Sequence, residues 1–554
     1  MKKIGYFSME VGIKNEIPTY SGGLGILAGD SAKAAADLGI DMSVFTLLYN
    51  KGNYEQALTK DGWQTERDVI WKPEEHLEKL NETVQIELEG KPVYLNIWEY
   101  DVIGKKGTVP VYFLDSNNEK NPDYIRRITD HIYTPDVHTR IFQEAILGIG
   151  GLRASQALGL DLQINHLNEG HSAFIIPERI NQGNKLEDII ETSVTTTHTP
   201  VDAGLERFDY GLVNLLLPGF LPSNITKLAG EDCLNMSYLA INASGYVNAV
   251  SKKHAEVSKK LFKRDIDYIT NGVHSETWTS TSFKKLLDKY CDGWRTDYKM
   301  IEKAETIPLE EIWNAHMTEK KVMIDFIKEN TGVEFDPDIL TLGFARRAAT
   351  YKRVDLLFYN IERLRKIGIK QLQADIAGKA HPADIPAKES IKGVFRYKDK
   401  LGNDIGIVYV PNHDITSGKV FVAGNDIGLN NPLRPCEASG TSGQKYAKNA
   451  NPHFSTLDGW WCEGHQEGKT GWSIGDDFDY GIIGTDSNEA CQIRQKDANS
   501  LYDKLENVII PMFYNNRNEF IKVMRSSLAI NGSYFSADRM MREYAKKAYK
   551  IELE

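Results

Sequence analysis

Apolar and polar positions along the chain alternate between two periods, and the order in which they do so predicts an α/β protein. Lys3 to Phe7, Asp41 to Leu48, Val93 to Tyr100 and Thr192 to Thr197 read as strands, with continuous or period-two apolar patterns. Between them, Ile26 to Leu38 and Thr139 to Leu158 place apolar residues at helical spacing, the second with Ile141, Ala145, Ile146, Ile149 and Leu152 on one side. The pattern repeats in the second half. Ile339 to Phe344, Gln373 to Ala377 and Ile407 to Val410 predict further buried strands, and Tyr534 to Leu553 a terminal helix. Lys284 to Glu329 is helical and charged, which predicts a solvated face.

A chain of 554 residues exceeds a single hydrophobic core, so two large domains are expected. With 41% hydrophobic and 26% charged residues the composition is that of an ordinary globular protein. The formal net charge of -11 disfavours general nucleic-acid binding. Glu10 interrupts any signal-peptide apolar core near the start, and the most apolar stretch, Leu212 to Leu221, is broken by Asn214 and Pro218; neither secretion nor a membrane span is expected. The five cysteines are odd in number, scattered and without a CxxC pair, which predicts reduced thiols, a cytoplasmic location and no metal site.

Several strands run directly into polar turns, where open α/β sheets place their active sites. Tyr20-Ser21-Gly22-Gly23-Leu24-Gly25 precedes a helix, a position that suits an anion or simply a tight turn. Asn165-His166-Leu167-Asn168-Glu169-Gly170-His171 and His198-Thr199-Pro200 follow strands, as does Arg346-Arg347, with Tyr351-Lys352-Arg353 close behind. Arginine and lysine at such a strand end suit the holding of two phosphates together. In Glu437-Ala438-Ser439-Gly440-Thr441-Ser442-Gly443-Gln444-Lys445, small residues able to form a phosphate nest lead to one lysine, the pairing that pyridoxal 5'-phosphate (PLP) requires. Trp460-Trp461 fits either a sugar platform or a core.

These blocks, in this order from Tyr6 to Glu463, resemble the α-glucan (glycogen, starch, maltodextrin) phosphorylase family in its compact microbial branch. The resemblance implies a GT-B-type glycosyltransferase fold, two Rossmann-like domains facing a central cleft. Residues 1–270 would form the glucan domain, 271–530 the PLP domain, and 531–554 a helix packing back on the first. It implies reversible phosphorolysis of a terminal α-1,4-linked glucose of a glucan or maltodextrin by inorganic phosphate, giving glucose 1-phosphate. By residue, it implies that Lys445, Arg346, Arg347, Lys352 and His198 serve catalysis, and that Gly440, Thr441, Ser442, Gly443 and Trp278 join Lys445 and Arg346 around the cofactor. Gly22, Gly23, Leu24, His171, Asn271, Glu437, Ala438 and Ser439 would join His198 and Gly440 around substrate.

Some positions depart from the family pattern. Gln444 stands where Met is usual, Ser442 replaces a glycine, His413 lies near a usual Tyr, and Asn449-Ala450-Asn451 replaces an Asn-Gly turn. Family members are commonly dimers, so a homodimer is the implied assembly, and with no N-terminal tail to carry control, simple regulation is expected. Two rival readings use the same fold: a nucleotide-sugar-dependent glucan synthase, against which Tyr20 counts because synthases carry Lys there, and a silent glucan-binding homologue.

Overall fold

The computed structural model describes residues 2–476 and 488–553. The chain divides into two compact units. The first comprises Met1–Tyr54, Asp68–Thr270 and Met540–Glu554, the second Glu55–Arg67 and Asn271–Arg539.

The first unit is built on a nine-stranded sheet with Ile4–Ser8 at its middle, flanked in parallel by Met42–Leu47 and Ile164–Asn168. Ser193–Thr196 and Tyr246–Ala249 continue the parallel half. On the other side Thr108–Asp115, Lys91–Ile103 and Glu78–Leu88 form an antiparallel meander. The central strands are apolar and buried on both faces, as a parallel sheet covered by helices demands. The expected long helix over Thr139 to Leu158 is divided: Val137–Ala145 and Gly151–Ala157 are α-helical, and Ile146–Gly150 between them is a π-helical turn.

The second unit carries a six-stranded, fully parallel sheet in the order Gly406–Val410, Leu372–Ala377, Leu340–Ala345, Ile427–Asn430, His453–Thr456, Gly471–Ile474. Its helices include Leu309–Thr331, which is not merely a solvated face. Ile312, Met323, Ile324 and Ile327 bury one side of it, together with His316 and Lys320.

The two units differ from the expected segments 1–270 and 531–554 in two respects. The hairpin Glu55–Leu58/Gln64–Arg67 belongs to the second unit, because Gln56 and Gln64 donate their side-chain amides to the carbonyls of Gly378 (2.9 Å) and Ala380 (2.8 Å). The tail joins the first unit only from Met540. Before that point Val273 N–H donates to Phe535 and Ala537 N–H donates to Val273, which holds the segment in the second unit.

Candidate active site

In the first unit two adjacent parallel strands, Ile164–Asn168 and Ser193–Thr196, end at the same sheet edge and deliver His171 and His198. Glu169, at φ 73°, turns the chain there, and burial raises its carboxyl pKa. Its Oε2 accepts from the His198 backbone N–H (2.6 Å) and the Thr199 hydroxyl (3.1 Å), so one carboxylate ties the two strand ends. His198 Nε2 is 2.7 Å from Asn168 Oδ1, whose own amide nitrogen donates to Ser8 Oγ; the ring therefore donates from Nε2 and keeps Nδ1 as an acceptor. Burial, reinforced by His254 and His166, pushes the His198 pKa down to about 3, so the imidazole is neutral across the working pH range. His171 is likewise held well below its ordinary value, by burial and then by Arg140 and His198.

The glycine turn behaves differently from its expected use as an anion site. The helix does begin at Gly23, but the N–H groups of Ser21 (2.5 Å) and Gly22 (3.0 Å) donate to Glu10 Oε2. The chain's own carboxylate thus occupies the Gly22 donor. A Cβ at Gly23 would meet nothing within 4 Å, so the space at Gly23 stays open. Glu10 also accepts from Tyr133 OH (2.9 Å). No helical or strand period marks Glu10, and only its place just after a strand hinted at a role. Nearby, Glu144, His171 and Glu206 bring potential metal ligands within 4.8 Å of one another. Arg140 already supplies positive charge there, at 3.2 Å from Glu144 and 3.0 Å from Glu206.

In the second unit the cation cluster separates by role. Arg346 is buried and donates to Asn430 Oδ1 and the Leu429 carbonyl, with its Nε buried and without a hydrogen-bond partner. Arg347 is exposed. Lys352 pairs with Glu437 (2.5 Å). Glu437 is held in turn by its backbone N–H, which donates to Asp458 Oδ2 (2.8 Å); burial pushes the Asp458 carboxyl up to about 8.

Lys445 lies on the short helix Ser442–Ala447, its Nζ 3.8 Å from the centroid of the buried Trp278 ring. Gly440 takes φ 73°, which only glycine adopts without strain. Gly443 is glycine for a different reason from the expected nest: a Cβ there would lie 2.6 Å from Trp460 and 2.7 Å from His453. Ala438 and Ser439 are buried, and the Ser439 carbonyl accepts from Trp460 N–H (3.0 Å). Thr441 caps the helix without a side-chain bond. Asn271 is buried with its Oδ1 unpartnered, and its carbonyl accepts from Gln444 Nε2 (3.0 Å), so the unusual Gln444 buttresses a candidate sugar ligand. Trp460 and Trp461 pack with Phe535 in a buried cluster, which makes them core and not a sugar platform.

His413 reports how charge gathers around Lys445. Burial, then the cations Lys445, Lys379 and Arg346, depress its pKa to about 4 against the opposing Asp414 carboxylate. Lys379 is itself pushed down to about 8 by burial. The sequence places Lys379 in a turn like the family's, directly after the strand Leu372–Ala377, but gives it no role of its own. Gly378 explains the geometry, since a Cβ there would sit 1.9 Å from the Arg346 carbonyl; only glycine lets the two strand-end loops meet. Lys445 with its amine on an aromatic face, Arg346 with an orphaned guanidinium N–H, and Lys379 in the adjoining loop fit an anionic aldehyde cofactor such as PLP.

Two α/β units, one with a mainly parallel and one with a fully parallel sheet, and functional groups at strand ends define a GT-B-type glycosyltransferase fold. Residues 223–509 match the family profile described as carbohydrate phosphorylase, and residues 6–271 that of the starch synthase catalytic domain. The chain is 39% identical to the maltodextrin phosphorylase of Thermococcus litoralis, across 99% of this chain and 70% of that one. It is 33% identical to the glycogen phosphorylase of Aquifex aeolicus (99% and 86% covered) and 32% to that of Mycobacterium tuberculosis (99% and 70%). The chain belongs to the α-glucan phosphorylase family.

Proposed function

We propose that the protein catalyses reversible phosphorolysis of α-1,4-linked glucan, with PLP held at Lys445. Inorganic phosphate takes the terminal glucosyl unit: the bond from C1 to the glucan oxygen breaks, a bond from C1 to a phosphate oxygen forms with retention, and the phosphate proton passes to the departing glucan oxygen. The observation that carries this reading is Lys445 Nζ 3.8 Å from the Trp278 ring centroid, in a unit where Arg346 keeps a buried Nε without a hydrogen-bond partner and the glycine turn at Gly378 brings the Lys379 loop against the Arg346 carbonyl. When bound, PLP supplies a phosphate whose second pKa is about 6, suited to proton exchange with substrate phosphate near neutral pH.

The chain's own groups do the rest. Lys445 anchors the cofactor aldehyde, and Trp278 closes one side of that amine. Arg346, Arg347, Lys352 and Lys379 supply the positive charge that two phosphates need in order to lie close. In the first unit His198, neutral and held by Asn168, presents an acceptor nitrogen suited to a sugar hydroxyl, with His171 as a further hydrogen-bonding position; in the second unit Asn271 offers its unpartnered Oδ1. No carboxylate pair is required, unlike glycosidases.

The test is release of glucose 1-phosphate from maltoheptaose and inorganic phosphate with PLP supplied, alongside Lys445→Ala and a matched reaction with a nucleotide-sugar donor. We expect phosphate-dependent release that Lys445→Ala abolishes together with the cofactor absorbance. Full activity of Lys445→Ala without cofactor would refute the assignment, and glucan growth from the nucleotide sugar alone would replace it with a synthase.

A further inference from the structure

A buried Arg–Asp–Arg triad lies behind the loops that carry Lys352 and Glu437, and the reaction as described does not use it. Asp497, on the helix Asn488–Lys504, places Oδ2 2.7 Å from Arg353 Nη2 and Oδ1 2.7 Å from Arg434 Nη2. The side chains of Arg353, Asp497 and Arg434 are 5%, 2% and 3% exposed, so water does not screen them. Arg353 closes the loop that begins at Arg346, and Arg434 opens the loop that reaches Glu437 and then Lys445.

The two loops are also bonded directly. Leu433 N–H donates to the Tyr351 carbonyl (2.7 Å), and Asn431 Nδ2 to the Arg353 carbonyl (2.5 Å). Arg353 returns Nε to the Asn431 carbonyl (2.8 Å) and Nη2 to that of Pro432 (3.0 Å). A third segment closes the arrangement. Arg434 Nη1 donates to the Asp476 carbonyl, and Gly475, at φ 72°, passes so near that a Cβ would lie 2.2 Å from Asp497 Oδ1 and 3.0 Å from Arg434 Nη2.

Two guanidiniums against one carboxylate in a water-excluded site is a poor device for stability alone, because apolar side chains of similar volume would avoid the desolvation penalty. What a shared carboxylate does give is a fixed separation between two loops, each bonded to one of its oxygens. At the far side of the same loops stands the Lys352–Glu437 pair (2.5 Å). We propose that Asp497 is a positioning residue: through Arg353 and Arg434 it sets the spacing of the Lys352 and Glu437 loops, and with it the affinity of the site for phosphate. This rests on the phosphorylase reading of those loops.

The experiment uses the full chain loaded with PLP and compares wild type, Asp497→Asn and Gly475→Ala. The first keeps the shape and removes the charge; the second keeps every charge and presses a methyl against Asp497 Oδ1. Calorimetry with inorganic phosphate gives Kd, and turnover gives KM for phosphate and for maltoheptaose. Cofactor absorbance and the thermal midpoint count the folded, loaded fraction. In both variants we expect Kd and KM for phosphate to rise tenfold or more, with KM for maltoheptaose moving less than threefold and cofactor retained.

Unchanged phosphate affinity, with activity falling only in proportion to lost cofactor or folded protein, would overturn the proposal. Equal rises in both KM values would do the same, because they would signify general loosening. If Asp497→Asn does not fold, Gly475→Ala decides; if neither folds, the triad is structural and the proposal falls. Wild-type enzyme that binds phosphate without releasing glucose 1-phosphate would refute the phosphorylase reading, while calorimetry on the variants would still judge the clamp. Absence of phosphate binding in wild type would refute both.

Discussion

Ala450 shows how a departure from a family pattern is absorbed locally. It is fully buried and takes φ 60°, a left-handed conformation that glycine adopts freely and alanine does not. Its neighbours hold it there. Asn449 donates to the carbonyls of Trp278 (2.9 Å) and Lys445 (3.1 Å), and Asn451 to those of Val422 (2.8 Å) and Ala423 (3.1 Å). The altered triplet therefore fastens the lysine helix to the Trp278 segment. Relief of left-handed strain, about 1–2 kcal/mol, exceeds the roughly 0.5–1 kcal/mol that glycine loses in backbone entropy. Ala450→Gly should thus be neutral to about 1 kcal/mol more stable, with cofactor retention unchanged, as read from urea midpoints. A clear loss of stability would show that the methyl packs better than the backbone strains.

Lys445, Arg346 and Lys352 are named as candidates by the family resemblance and not by residue identity alone, since small-residue runs ending in lysine and basic strand ends are common in solvated loops. Neither anticipated Glu10 on the Gly22 N–H or Lys379 beside Arg346. Both depend on segments far apart in sequence meeting at a strand end.

Among elements, the helix Leu309–Thr331 departs furthest from its sequence pattern. Its charged surface predicts solvation, yet it carries His316 and Lys320 inward to Asp426, where Nε2 and Nζ each lie 2.7 Å from a carboxylate oxygen and all three side chains are 0% exposed. The Thr341 N–H also donates to that carboxylate (2.7 Å), which fixes the helix to the strand Leu340–Ala345. Periodicity cannot distinguish a lysine that snorkels from one whose counterion sits a hundred residues later. Although burial alone would raise it, the Asp426 pKa is held below its ordinary value by Lys320 and His316. A depressed carboxyl contributes stability that is complete above its unfolded value near 4 and is lost as pH falls through the lower folded value. Asp426→Asn leaves the buried Lys320 without its counterion and should cost about 3–5 kcal/mol, seen as a lowered urea midpoint at pH 7. The difference from wild type should narrow as the pH falls below about 4.

The π-helical turn at Ile146–Gly150 teaches a similar lesson. Apolar spacing predicted one helix through it, and the element is there, but the local winding is set by packing against the sheet and not by periodicity. Strand positions were the most legible feature: the predicted cores of Lys3–Phe7, Gln373–Ala377 and Ile407–Val410 agree with the observed strands to within a residue or two.

Across the whole molecule the chain leaves its first unit, builds the second, and returns. Residues from Met540 onward complete the first unit from inside. Tyr549 OH lies 2.7 Å from Nδ1 of the fully buried His166, and Tyr544 OH lies 3.1 Å from Thr196 Oγ1 and accepts from Asn248 Nδ2 (3.1 Å). Lys2 Nζ donates to the Tyr549 carbonyl (3.2 Å), so the lead-in to the first strand and the returning segment meet within the first unit. Tyr549→Phe strands a buried ring nitrogen and should destabilise the first unit by about 1–3 kcal/mol. Hydrogen exchange should show the extra opening in the strands Ile164–Asn168 and Ser193–Thr196, and uniform loosening of both units would contradict it.

That returning tail has a consequence for biosynthesis. The nine-stranded sheet is translated early, yet the side chains that satisfy its buried His166 and Asn248 emerge from the ribosome only after the second unit. At about 5–20 residues per second, roughly 15–60 s of synthesis separates the last strand of that sheet from its covering tyrosines. The whole of the second unit from Asn271 to Arg539 is made during that interval, while the first waits with a polar seam open. A nascent chain of this design should therefore be a chaperone client through its first half, and truncation before Tyr544 would disable the oldest part of the molecule and not the newest.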